Sequence, residues 1–162
     1  MKVLFVCYAN IGRSQTAQAL YNYWTKTNEA HSAGTGVDES TPECKTLGQF
    51  EQSAHHRPST LIVMSEKFGL DLSYLERTQL MPTMLPQYDL VVNIADRNQT
   101  PDWLRGDNVI WWRVKDLGQN FSRERAFNNF DMIADKVKKL ITIEETSGDF
   151  HELDDNIDAG DK

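Results

Sequence analysis

Apolar residues along this chain recur in two spacings, and the alternation between them lays out the fold. Residues 2–6 are an almost unbroken apolar run, as a strand buried on both faces of a parallel sheet requires. Residues 14–27 then carry Ala17, Leu20, Tyr21 and Trp24 at helical spacing, so a helix lays this stripe on the sheet. Residues 30–36 read as a second short strand that breaks into a glycine-rich turn. Residues 37–58 are polar and carry little periodicity, and residues 41–53 are expected to be loop with some helix. Leu61, Ile62, Met64 and Phe68 restore helical register over residues 59–68, and Gly69 stops that helix as a C-cap. Residues 88–94 and 108–114 are two more strands, separated by a loop at 101–106. The longest amphipathic pattern runs from 122 to 143, with Ala126, Phe127, Phe130, Ile133, Ala134, Val137, Leu140 and Ile141 on one face.

Strands that alternate with helices predict an α/β three-layer sandwich, with a central parallel sheet of about four strands and helices on both faces. Its ligand is expected beyond the carboxyl ends of the strands. A length of 162 residues with 40% hydrophobic residues suits one domain, expected over residues 1–143. Residues 144–162 are acidic with few large apolar side chains, and read as a disordered tail. The net charge of −7 argues against nucleic acid as a partner. No apolar run is long enough for a membrane span, and the N-terminus lacks a signal-peptide pattern, so a cytoplasmic protein is expected. Cys7 and Cys44 make no disulfide framework, which agrees with a reducing compartment.

The chemistry concentrates where the first strand ends, in Cys7-Tyr8-Ala9-Asn10-Ile11-Gly12-Arg13-Ser14. Five residues between a cysteine and an arginine can curl round a tetrahedral oxyanion with their N–H groups inward, and the helix that follows adds its free amides and positive dipole end. A phosphate or sulfate ion is the expected occupant. A thiol at the centre of such donors is the expected nucleophile, which gives that role to Cys7. The planar fork of Arg13 suits two oxygens of a phosphoryl group. Ser14 is placed to cap the helix or to donate to the Cys7 sulfur as it leaves. Asn10 tolerates left-handed backbone and so suits a tight loop. Tyr8 and Ile11 flank the loop and are candidate walls of an aromatic slot. No G-x-x-x-x-G-K-[ST] sequence is present, so a nucleotide-hydrolysing loop is not expected. The pair His55-His56 lacks companions at ligand spacing and reads as polar surface, so no metal or other cofactor is expected.

These eight residues resemble the signature of the low-molecular-weight protein tyrosine phosphatases, a superfamily that also contains thiol-dependent arsenate reductases. The family usually has glycine where Ala9 stands and often a second cysteine where Gly12 stands. The resemblance implies the phosphatase-I-like fold. It also implies that Ser32, in Ser32-Ala33-Gly34, supports the loop together with Asn10 and Ser14. Gly69-Leu70-Asp71-Leu72-Ser73 with Gln79-Leu80 is similar to a further family segment, whose histidine falls on Leu75 here and whose arginine falls on Thr78. Cleavage of a phosphate ester also needs a proton donor for the leaving oxygen. Asp116, just past the last strand, stands where the family has an Asp-Pro pair, although Leu117 replaces the proline. Asp96 matches another family position, and Asp96 and Asp102 are the substitute acids.

The expected function is therefore hydrolysis of a phosphomonoester through a cysteinyl-phosphate intermediate, with phosphotyrosine as the leading substrate and a phosphorylated protein or a small phosphomonoester as partner. Two alternatives stay open. One is an arsenate reductase of the same fold that uses an external thiol; the other is a phosphate-binding regulatory module without turnover.

Overall fold

The computed structural model describes residues 1–53, 59–116 and 122–155, and within them four strands pair side by side, all parallel, in the order β2-β1-β3-β4. They are β1 (Val3–Cys7), β2 (Ala30–Gly34), β3 (Leu90–Asn93) and β4 (Val109–Trp111). Every residue of β1 is buried, as an unbroken apolar run demands. β2 lies on one side of β1 and β3 on the other, so the strand order reverses there and a crevice opens beyond the carboxyl end of β1. Cys7 is the residue at that end.

The two faces of the sheet are covered differently. Val3 and Phe5 point into the larger core with Leu20, Leu61, Met64, Trp112 and Ile133. That core is roofed by α1 (Arg13–Thr25), α3 (Leu47–Ser53), α4 (Ser59–Phe68) and α5 (Arg123–Glu145), while the short α2 (Val37–Ser40) follows β2. Leu4 and Val6 point the other way, against Ala33, Leu80, Val91 and Leu104. Met84, Leu85 and Tyr88 close that face from a 3₁₀ helix, Pro82–Gln87, and the residue that follows it. Pro82 and Pro86 explain the tighter helix, since proline removes backbone donors and its ring disfavours an α-helical interior.

Residues 41–53 hold one helix, α3, after a loop. α4 spans the residues its periodicity predicts, with Gly69 beyond it at φ 66°. α5 begins after Ser122, whose side chain accepts from the Arg125 amide. His55, His56, Leu117 and residues 156–162 lie outside the described residues. Among the described residues no helix is long and apolar enough to cross a membrane.

Two expectations need correction. The strand expected over 108–114 keeps its ladder only from Val109 to Trp111, because β3 ends at Asn93, whose side chain accepts from the Ala95 amide and turns the chain away. The tail expected to be disordered from residue 144 is instead ordered through 155. Glu144 accepts from the Tyr21 hydroxyl at 2.5 Å, and the residues after α5 form a 3₁₀ turn, Phe150–Leu153, whose Phe150 and Leu153 pack on the main core. Asp154 then accepts from the Trp111 amide at 2.9 Å, and the Asp155 amide donates to the Trp111 carbonyl at 2.8 Å. The Asp155 carboxylate accepts from the Arg113 amide at 2.8 Å and from Lys136 Nζ at 2.6 Å. Acidic side chains here bond the outer edge of β4, in a stretch that composition alone reads as a disordered tail.

Asp155→Ala strands the Arg113 amide and Lys136, and is expected to lower stability by about 1–3 kcal/mol in urea unfolding. Exposed Glu152→Ala should stay within about 0.5 kcal/mol of the parent chain.

Candidate active site

The turn after β1 is held open by one buried side chain. Asn10 is fully buried and stands at φ 53°, a left-handed conformation that asparagine adopts more readily than most residues. Its Nδ2 donates to Ser14 Oγ at 2.8 Å and to Ser32 Oγ at 2.9 Å, while its Oδ1 accepts from the Thr78 amide at 2.8 Å. Ser14 Oγ lies 2.9 Å from Cys7 Sγ, so sulfur, hydroxyl and amide form one connected line. Asn10, Ser14 and Ser32 are thus brought together. The amides of residues 9–13 donate to no protein acceptor among the described residues. Such a run of free donors at a helix start is suited to an anion.

Arg13 opens α1, yet it is 92% buried (8% exposed), because its guanidinium reaches across the sheet ends. Nη1 donates to the Ile94 carbonyl just past β3 at 2.8 Å and to the Val114 carbonyl past β4 at 3.0 Å. Two carboxylates approach the same fork: Asp96 Oδ1 is 3.4 Å from Nη1, and Asp116 Oδ2 is 3.4 Å from Nη2. Both contacts are looser than a well-formed charge-assisted hydrogen bond, which sits near 2.7–2.9 Å. The structure therefore places Cys7, Arg13, Asp96 and Asp116 on one sheet edge. Asp102 is not among them; it is fully exposed and pairs with Arg105.

Tyr8 depends on a bare backbone. A Cβ on Gly36 would fall 2.1 Å from the Tyr8 ring, so the ring lies directly over that glycine. A Cβ on Gly34 would meet the Tyr8 carbonyl at 2.4 Å and the Asn10 amide nitrogen at 2.9 Å. The glycines after Ser32 let β2 press against the loop. Ile11, expected as a slot wall, packs in part against the main core.

Two contributors have no counterpart in the sequence reading. Gln15, fully buried in the first turn of α1, donates to the Asn10 carbonyl at 3.2 Å and to the Glu76 carbonyl at 2.8 Å. Arg77, 6% exposed, donates from Nε and Nη2 to the Ala9 carbonyl at 3.2 and 2.9 Å. Burial pushes the Arg77 guanidinium pKa down, while Cys44, Cys7 and Glu43 act electrostatically to raise it. Arg77 stands one residue before Thr78, the position the resemblance gives to an arginine, and Thr78 takes part through its main chain alone. A polar helix face and an isolated arginine look like surface in a sequence. Only their burial distinguishes them.

Residues 2–104 match the family model described as low molecular weight phosphotyrosine protein phosphatase. No curated protein matches the sequence. Among solved structures, the low molecular weight protein tyrosine phosphatase from T. tengcongensis is 24% identical with a TM-score of 0.66, over 88% of this chain and 98% of its own. Vibrio vulnificus Wzb, in complex with benzylphosphonate, is 18% identical with a TM-score of 0.67, over 87% and 97%. An arsenate reductase from Archaeoglobus fulgidus DSM 4304 is 25% identical with a TM-score of 0.60, over 87% and 99%.

Asn10→Ala removes three hydrogen bonds and places a Cβ-bearing residue without a polar side chain at positive φ. Urea unfolding should show a loss of about 2–4 kcal/mol. Asn10→Gly loses the same bonds but tolerates the backbone, and should be milder by about 1 kcal/mol.

Proposed function

The chain belongs to the low molecular weight phosphotyrosine protein phosphatase family and is a cysteine phosphatase, and from that premise we propose that it hydrolyses phosphomonoesters, phosphotyrosine first among them, through a cysteinyl-phosphate intermediate. The observation that carries this reading is that the Cys7 sulfur, 2.9 Å from Ser14 Oγ, sits at the carboxyl end of β1, while Arg13, which opens the helix after it, is held by carbonyls past β3 and β4 beside Asp116. In the proposed first step the Cys7 sulfur attacks phosphorus, the bond to the ester oxygen breaks, and Asp116 gives that oxygen its proton. In the second, Asp116 takes a proton from water, the water oxygen attacks phosphorus, and the S–P bond breaks to release phosphate.

Arg13 and the amides of residues 9–13 would hold the equatorial oxygens through both steps, an electrostatic contribution set up before reaction. Two carbonyls already orient Nη1, so less reorganisation is needed when a phosphoryl group arrives. The 3.4 Å contact of Asp116 with Nη2 is loose enough for an incoming phosphoryl oxygen to replace it. Tyr8, laid over Gly36, is a flat surface beside the loop and supports an aryl ester as substrate.

The arsenate-reductase reading keeps one specific support, the 25% identity to the A. fulgidus arsenate reductase over most of both chains. Cys7 and Cys44 are both buried and form no disulfide with each other, and this reading calls on an external thiol.

Hydrolysis of p-nitrophenyl phosphate separates these readings. Cys7→Ser should abolish it, Asp116→Asn should lower kcat by about 10²–10⁴, and Asp96→Asn should have the smaller effect. Arsenate consumed only with added thiol, without ester hydrolysis, would support the reductase. Phosphate bound without either turnover would support a regulatory module.

A further inference from the structure

Arg77 lies behind the phosphate loop and uses all of its donor atoms. Besides the two bonds to the Ala9 carbonyl, Nη1 donates to the carbonyls of Thr41 at 2.9 Å and Cys44 at 3.0 Å, and Nη2 donates to Ser40 Oγ at 3.2 Å. Its guanidinium also lies 5.5 Å from the centre of the Phe50 ring in α3. None of these hydrogen-bond partners is a carboxylate. A cation this buried, hydrogen-bonded only to neutral oxygens, is costly to keep without negative charge nearby, and Cys44, Cys7 and Glu43 act electrostatically in its favour.

The peptide between Ala9 and Asn10 connects this cation to the anion site. All described peptide bonds are trans, so the C=O of Ala9 and the N–H of Asn10 point in opposite directions. Arg77 takes the carbonyl, which turns the Asn10 N–H away from it. That N–H has no protein acceptor among the described residues. A hydrogen bond to one end of a peptide polarises the other, which strengthens the amide as a donor.

Building on the phosphatase reading, we infer that Arg77 is a positioning residue for phosphoryl transfer: it locks the Ala9–Asn10 peptide with its N–H turned to the phosphoryl group, and ties the loop to residues 40–44. Arginine suits the task because a fork reaches both sides at once. Lysine keeps the charge but is a single point of contact.

The test compares the parent chain with Arg77→Met, Arg77→Lys and Cys7→Ser. The readouts are inorganic phosphate affinity by calorimetry, p-nitrophenyl phosphate kinetics, and unfolding. Arg77→Met is expected to weaken phosphate binding about tenfold and kcat/KM about 10- to 100-fold. Arg77→Lys should keep phosphate affinity within about threefold while kcat still falls about tenfold. Arg77→Met that is less stable yet binds phosphate and turns over within about twofold of the parent overturns the inference, since Arg77 is then structural only. If the parent chain binds phosphate but hydrolyses no aryl phosphate, the phosphatase reading fails, and the affinities still decide the role of Arg77. Should neither Arg77 variant fold, hydrogen exchange on the parent chain decides: saturating inorganic phosphate must slow the Cys44 amide, which donates to the Thr41 carbonyl that Arg77 holds. No change there, or no phosphate binding at all, overturns the proposal.

Discussion

An anion site built from main-chain amides requires those amides to be denied to the protein itself, and most of what surrounds residues 8–13 serves that requirement. A loop left alone would fold its donors onto its own carbonyls or onto water. Here the Asn10 side chain takes up two serine hydroxyls and a distant amide, and so supplies the cross-links that helix or sheet bonds supply elsewhere. The loop's carbonyls are occupied in turn: that of Ala9 by Arg77, that of Asn10 by Gln15, and that of Gly12 by the Thr16 amide and hydroxyl. Acceptors are filled from within, and donors are left over.

The sheet enters the chemistry through its ends. Arg13 belongs to α1, yet its guanidinium is oriented by carbonyls just beyond β3 and β4, so the spacing of three strands sets where the positive charge sits. β4 is an edge strand of only three residues, Val109–Trp111, and the chain that continues from it to Val114 is steadied by Asp154 and Asp155. The packing of Phe150 and Leu153 on the main core anchors those aspartates. A C-terminal segment remote from the loop in sequence thus helps place the carbonyl that aims Arg13.

Several site residues were legible in the sequence for reasons that local physics explains. Cys7 and Arg13 flank five residues at the end of an apolar strand, and such a turn restricts what its side chains can reach. Asn10 at φ 53° and Ser14 beside the sulfur follow from the same local geometry. Gln15 and Arg77 were not legible, since a polar side chain announces its burial only through partners supplied by distant segments. The acidic stretch beyond α5 reads differently in the sequence for a related reason: composition counts charges, whereas Asp154 and Asp155 bond main-chain amides on the outer edge of β4 and just beyond it.

What the sequence determined by itself was the alternation of strands and helices, the central place of β1 and the loop with its cysteine and arginine, because apolar period and turn chemistry are properties of neighbouring residues. Tertiary structure alone decided that Arg13 is held by carbonyls past β3 and β4, that Arg77 backs the loop, that a 3₁₀ helix covers one face and that residues 150–155 pack on the core and on β4. Each of those depends on hydrogen bonds or packing between residues far apart in the chain, and the strength of such contacts is set by burial, which no local pattern records.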